Sequence, residues 1–267
     1  MGVGIMDDKD WDLFKKKLNA KTGIDLHLYK EPQMRRRIGN LVTRSDLKTF
    51  CAYFDDVSAD KEKFADFIEY LTINVSEFFR NPDKFDIVEK DVLPMLLKQS
   101  PKLNIWSAGC SIGAEPYTLA IILKELTPNV RHRILASDLD VEILAKAKRG
   151  IYTDTEIKAM RPDRKAKYFD KTPDGKFAIK QEIKSMVEFK QHNLLKDPYE
   201  KGFNLIVNRN VVIYFTDEAK TQMYTGFFNS LVPGGILFVG ATESILNYRQ
   251  MGYQSYKAFF YKKPEDK

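Results

Sequence analysis

Cysteine is nearly absent from this chain. Cys51 and Cys110 are the two that occur in 267 residues, too few and too far apart for a disulfide framework or a zinc site. Histidine is equally sparse, and His27, His132 and His192 form no constellation with an acid or a nucleophile. No apolar run approaches the roughly 18 residues that a membrane span needs, so no membrane insertion is expected. The opening MGVGIMDDKDWD turns acidic where a secretory signal would carry an apolar core. The expectation is a cytoplasmic protein. There is no internal repeat and no low-complexity tract. What remains is ordinary for a globular protein: 43% hydrophobic and 30% charged residues, enough for one large or two modest domains. The net charge of +6 suggests an acidic partner surface without requiring nucleic acid.

The most informative stretch is 102–115, KLNIWSAGCSIGAE. Ile105, Trp106 and Ala108 read as a short strand buried on both faces. Gly109 and Gly113 permit a tight turn, and Pro116 suits the first turn of the helix that Tyr117, Leu119, Ala120, Ile121 and Leu123 continue. A strand, a glycine-bearing loop and a helix N-terminus place backbone N–H groups where α/β folds bind nucleotide-like ligands. The spacing is G-x-x-x-G, not G-x-G-x-x-G, so an ordinary turn between strand and helix fits it as well. One helix later, RILASD (133–138) reads as a second buried strand ending in an acid. Asp138 there is either a ribose acceptor or a helix N-cap, and Asp140 is better placed for the cap.

Residues 7 to about 72 carry helical periodicity throughout, in four short amphipathic segments. Trp11, Phe14 and Leu18 recur at helical spacing, as do Met34, Ile38 and Leu41, then Leu47, Phe50, Cys51 and Phe54, then Phe64, Phe67, Ile68 and Leu71. The second segment carries Arg35, Arg36 and Arg37, with Arg44 close behind. These are either a solvated face or a docking surface for an acidic helix or polyanion. TINVSEFFR (72–80) interleaves Asn74, Ser76 and Arg80 with packing residues. A helix over 85–97 follows. TPDGK (172–176) is a strong turn signal within a small hairpin-like insertion. Further strands are expected over 187–192, 203–207, 235–239 and 255–262. The pattern predicts a doubly wound, Rossmann-like sheet with an antiparallel last strand, preceded by a small all-helical domain. Class I S-adenosylmethionine-dependent methyltransferases have this arrangement. The domain division is 1–72 and 73–267, with the β insertion at about 171–186.

Four stretches, TINVSEFFR (72–80), WSAGCSIGAEPYTLA (106–120), ASDLDVEILAKAKRGIY (136–152) and NRNVVIYF (208–215), closely resemble the chemotaxis receptor methyltransferases, the CheR family. PGGILFVGATES (233–244) adds support, and the resemblance covers nearly the whole chain. It implies methyl transfer from S-adenosylmethionine to glutamates of the chemoreceptor cytoplasmic helices, giving glutamyl methyl esters. It also implies cofactor contacts at Asn74, Ser76, Arg80, Glu115, Asp138, Asn193, Leu194, Arg209 and Asn210. Ser76 stands where the family often has Thr, and Ala114 where a further Glu is common. Plainer roles exist for some of these: Asn193 as a turn cap, Glu115 as a helix-start acid, Arg209 and Asn210 as ties on a strand end.

A glutamate with a pKa of about 4.3 is already ionised near neutrality, so methyl transfer to it needs no general base and no metal. Proximity and alignment then carry catalysis, supplying up to about 7–11 kcal/mol in well-oriented systems. Arg80 and Tyr214 are the candidates for orienting the carboxylate, although Tyr214 also reads as a core aromatic. The receptor is expected to be found through Arg35, Arg36, Arg37 and Arg44, without a C-terminal receptor tether, by a monomer. Two other functions fit parts of the sequence: a non-catalytic S-adenosylmethionine-binding sensor and a nucleic-acid methyltransferase. Against the latter, residues 208–215 lack the Asn-Pro-Pro-aromatic element that holds an extruded base.

Overall fold

The computed structural model describes residues 7–72 and 76–266. The chain forms two compact units. One is the N-terminal helical segment joined by Val212–Gln222, which return to it from far along the chain. The other holds the remaining described residues.

The helical unit contains α1 (Asp8–Thr22), α2 (Glu31–Arg44), α3 (Phe50–Ala59) and α4 (Lys61–Thr72). Asp7 caps α1 by accepting the Asp10 N–H, and Gly23 at φ 75° ends it. The buried faces follow the periodicity: Trp11, Phe14 and Leu18 from α1, Met34, Ile38 and Val42 from α2, and Phe50, Phe54 and Val57 from α3. Trp11 meets Phe50 at 4.8 Å and Phe14 meets Phe54 edge-on at 5.5 Å. Asp10 reaches from α1 to the start of α3, accepting the N–H groups of Phe50 (2.6 Å) and Cys51 (3.1 Å). Burial, with Asp10 close by, pushes the Cys51 thiol up to about 12. The returning segment is stitched in by a bridge between Tyr29 and Phe215. Lys30 donates its N–H to the Tyr214 carbonyl and Thr216 donates to that of Leu28.

The second unit opens with α5 (Pro82–Ile87), a π turn (Val88–Val92) and α6 (Leu93–Gln99). Pro94 lacks an N–H and its ring crowds the carbonyl four residues back, so the widened turn falls just before it. Then follow β1 (Asn104–Ala108), α7 (Ala114–Leu126), β2 (Arg133–Asp138), α8 (Val141–Arg149), β3 (Ile151–Tyr152), α9 (Pro162–Tyr168), β4 (Phe169–Lys171), β5 (Phe177–Ile179) and α10 (Gln181–Lys184). The chain closes with β6 (Val187–Gln191), β7 (Phe203–Asn208), α11 (Asp217–Ser230), β8 (Leu231–Val239), β9 (Gln254–Lys257) and β10 (Phe260–Lys262).

Seven strands form one sheet in the order β6-β2-β1-β7-β8-β10-β9. The first five are parallel, and β10 runs antiparallel to both β8 and β9. The doubly wound sheet with an antiparallel finish is therefore present, with two differences of detail. Residues 255–262 are a hairpin of two strands, not one strand, because Phe259 turns the chain at φ 72°. A 14-residue helix, α11, also precedes β8, a segment to which the sequence pattern assigns no element. Trp106, at 1% exposure, anchors the core between Tyr199, Phe203 and Phe227, and its indole N–H donates to Ser137 Oγ at 2.8 Å. A separate small sheet, β3-β5-β4, holds the hairpin around Asp174 and Gly175.

Candidate functional site

The winding reverses between β1 and β7, so the carboxyl ends of these two strands mark the switch point where open α/β sheets bind ligands. The loop after β1 lies there and is fastened to the tip of β2. Gly109 and Cys110 donate their N–H groups to the Ser137 carbonyl (2.8 and 2.9 Å), and Ser111 donates its own to Asp138 Oδ2 at 2.8 Å. Gly109 is at φ 83°, and a Cβ on it would stand 2.4 Å from Val211 Cγ2, so a side chain is excluded twice over. Gly113, at φ 84°, lets α7 start close to α8, where a Cβ would meet that of Ala147 at 2.9 Å.

Of the two acids at this strand tip, Asp140 is the helix cap of α8, accepting the N–H groups of Glu142 and Ile143 at 3.0 and 3.2 Å. Asp138 is half-buried at the strand tip, with the Asp140 N–H on its other oxygen at 3.1 Å. Burial raises its carboxyl above the ordinary range, partly offset by these backbone donors. Two buried polar atoms of the same region, Ser111 Oγ and Asn208 Oδ1, find no partner among the described residues. The other end of the Asn208 amide donates to the Ala108 carbonyl at 2.8 Å, tying the tips of β7 and β1 together.

A buried ionic network lies beside this loop. Glu115, on the first turn of α7, accepts from Ser107 Oγ (2.8 Å) and from Arg209 Nη1 (3.4 Å). The Arg209 guanidinium is 5.2 Å from the ring of Phe85 and 4.9 Å from that of Phe238. Its Nη2 donates to the Arg80 carbonyl (2.9 Å) and to Asn81 Oδ1 (2.6 Å). Burial raises the Glu115 carboxyl and lowers Arg209, each opposed by the other's charge. Arg80 is half-buried between two non-glycine residues in the left-handed region, Phe79 (φ 54°) and Asn81 (φ 60°). Such a backbone costs about 1–3 kcal/mol per residue and persists only where its surroundings hold it. Arg209 holds one side of it, and the Phe79 N–H, donated to Thr118 Oγ1 at 3.2 Å, holds the other.

The remaining residues singled out from the sequence lie as follows. Ser76 is half-buried, whereas Asn74 lies outside the described residues. Asn193 follows β6 and accepts the Leu195 N–H at 2.9 Å, so it does shape a turn, with Leu194 inside it. Asn210 is at φ 61°, its N–H donated to Glu243 Oε2. Glu243 is a further buried residue of this region, marked in the sequence only as an acid just past the glycine that ends an apolar strand. Tyr214 is half-buried in the 3₁₀ turn Val212–Tyr214 and belongs to the helical unit.

On α2 the four arginines are not equivalent. Arg35 pairs with Asp8 at 2.7 Å, and Arg37 donates to the Tyr70 carbonyl while its guanidinium stands 4.2 Å from that ring. Arg36 and Arg44 are exposed. His132 has a structural setting: it accepts the Leu103 N–H through Nδ1, and burial lowers its pKa. The Cys110 thiol is buried and raised well above its usual range by that burial. No group of three or more metal-type side chains occurs among the described residues, and no described helix is long and apolar enough to cross a membrane.

Two family models match the chain: "CheR methyltransferase, all-alpha domain" over residues 9–72 and "CheR methyltransferase, SAM binding domain" over residues 74–258. The chemotaxis protein methyltransferase of Listeria innocua is 42% identical over 255 residues, covering 95% of this chain and 97% of its own. That of Borreliella burgdorferi is 33% identical over 266 residues, covering 95% and 94%. Chemotaxis protein methyltransferase 1 of Pseudomonas aeruginosa is 32% identical over 249 residues, covering 89% and 91%.

Proposed function

The chain belongs to the CheR family of S-adenosylmethionine-dependent chemotaxis methyltransferases, and on that premise we propose that it esterifies glutamate side chains on chemoreceptor cytoplasmic helices. The observation that carries this reading is the Arg80 segment. It sets a half-buried arginine between two left-handed residues, its carbonyl fixed by buried Arg209, and a cation held at the switch point suits the alignment of an anion.

The cofactor fits the residues at the switch point. Positive-φ glycines open the loop, Ser111 Oγ and Asn208 Oδ1 are buried polar atoms with capacity left for a ligand, and Asp138 offers further lone pairs to ribose hydroxyls. When bound, S-adenosylmethionine supplies an electrophilic methyl group on a sulfonium. The chain's own task is to bring an already ionised carboxylate into line with it and exclude water. Arg80 orients that carboxylate; Tyr214 is proposed for the same task on the NRNVVIYF motif alone. Ser76, Glu115, Asn193, Leu194, Arg209 and Asn210 keep the cofactor-side roles that the resemblance implies, Asn74 with them. For Glu115 and Arg209 the observed bonds favour shaping the site over direct contact.

Receptor docking is assigned to α2. Residues 7–72 hold 13 basic and 13 acidic side chains, so attraction of an acidic helix must come from a local patch, not from the unit's net charge. Arg36 and Arg44 are the exposed members of that patch. The small sheet β3-β5-β4 offers edge strands of only two and three residues, and Ile179 of its central strand is spent on the core with Phe177 packed against it. Strand addition by a tethered receptor peptide requires an open edge with side-chain pockets, so dependence on a tether is not expected.

One incubation tests the assignment: methyl-labelled cofactor with a receptor cytoplasmic fragment and RNA together. Label in the receptor fragment that base releases as methanol is the expected result. Label in RNA, or binding of the cofactor without any transfer, would overturn it.

A further inference from the structure

Glu243 is 5% exposed, and its Oε2 accepts two backbone N–H groups: that of Asn210 at 2.6 Å and that of Gly240 at 3.0 Å. The first follows the end of β7 and the second the end of β8, so one carboxylate clasps two neighbouring strand tips beside the switch point. Its own N–H donates to the Gly240 carbonyl at 2.9 Å, which closes the clasp into a tight turn.

Residue 240 must be glycine for this approach. A Cβ there would lie 2.2 Å from Glu243 Oε2 and 3.1 Å from the Asn210 nitrogen. Asn210 is held at φ 61°, a region in which asparagine is tolerated better than most residues yet still needs a reason to stay. The charge-assisted bond to its N–H supplies that reason. The carboxylate thus fixes the backbone from which the Asn210 side chain departs.

We propose that Glu243 is a positioning residue for the cofactor, acting through Asn210 with no contact of its own to ligand. The proposal rests on the reading of Asn210 as a cofactor contact. It predicts that the two residues are coupled in ligand affinity, which a merely structural acid would not be.

Binding of S-adenosylhomocysteine to the full chain, measured by calorimetry, tests this through a double-mutant cycle. Glu243→Ala should raise Kd about tenfold and Glu243→Gln, which keeps a neutral acceptor, roughly threefold. Asn210→Gly keeps the left-handed backbone but removes the side chain. In that background either change at Glu243 should add less than about twofold. Should Glu243→Ala fail to fold, Glu243→Gln carries the same comparison. Losses that simply add across the cycle, or a folded Glu243 variant with unaltered Kd, would overturn the inference alone. A parent chain that does not bind S-adenosylhomocysteine would overturn the cofactor reading beneath it.

Discussion

Arg209→Met keeps an apolar stem between Phe85 and Phe238 while removing the charge and the donors that Arg209 gives to Glu115, Asn81 and the Arg80 carbonyl. Breaking a buried ion pair by removing one partner costs about 3–5 kcal/mol, most of it from the charge left behind. That charge is Glu115, whose carboxyl burial already raises above the ordinary range against the opposition of Arg209. Without Arg209 the rise should be larger. A carboxyl whose folded pKa exceeds its unfolded one favours the folded state when protonated. That contribution is complete below the ordinary glutamate range and is lost as pH climbs through the raised value. The variant's deficit should therefore be smaller near about pH 5 than near about pH 8, each further unit of rise widening the difference by about 1.36 kcal/mol. Urea unfolding followed at Trp106, in a Trp11→Phe background, reads this unit directly. Adding Glu115→Gln to Arg209→Met should recover about 1.5–2.5 kcal/mol by removing the stranded charge. Equal deficits at both pH values, with no recovery in the double variant, would refute the view that an ion pair holds the Arg80 segment.

Asp138→Ala should weaken S-adenosylhomocysteine binding by about 1.5–3 kcal/mol, the range for hydrogen bonds to a charged group, and calorimetry on the folded variant checks it. The pH–rate profile of methyl transfer should be flat from about 6 to 8.5, with Arg80→Ala and Tyr214→Phe lowering turnover more than stability; a limb near neutrality would point to a general base. Arg36→Glu should slow methylation of a receptor fragment that lacks its C-terminus. The parent's rate should also fall as salt shortens the Debye length from about 10 Å at 0.1 M to about 3 Å at 1 M. If truncating the receptor abolishes activity while the charge reversal is harmless, docking lies elsewhere.

The parts of this molecule that were legible in its sequence are those written in local code. Gly109 and Gly113 announce a loop because few other residues take their backbone, and the Trp106 strand announces itself by apolar continuity. Asp140 was recognisable as a cap because caps have a fixed offset from a helix start. The hairpin after Tyr256 was not, since Lys257, Ala258 and Phe259 include none of the usual turn formers, and tertiary packing holds Phe259 at positive φ. Helix α11 was obscured by Gly226 and by weak amphipathy; that glycine is required because Tyr199 packs where its Cβ would be, at 2.7 Å. Least legible were partners far apart in the chain. Nothing near Arg35 or Arg37 betrays Asp8 or the Tyr70 carbonyl, and nothing near Arg209 betrays residues 80, 81 and 115. Arg209, named from the sequence as a cofactor contact, is bonded to the backbone of Arg80, named as another.

The two thiols carry a practical consequence. Alkylating reagents and peroxide attack thiolate, and burial with Asp10 close by pushes the Cys51 thiol up to about 12, which keeps it protonated at neutrality. Cys110 is raised by its burial and shut away from reagents besides. The protein is therefore a chemically quiet background. A cysteine introduced at an exposed position such as Arg44 would take a fluorophore or spin label almost alone, so the proposed docking of a receptor on α2 can be tested without first removing either native thiol.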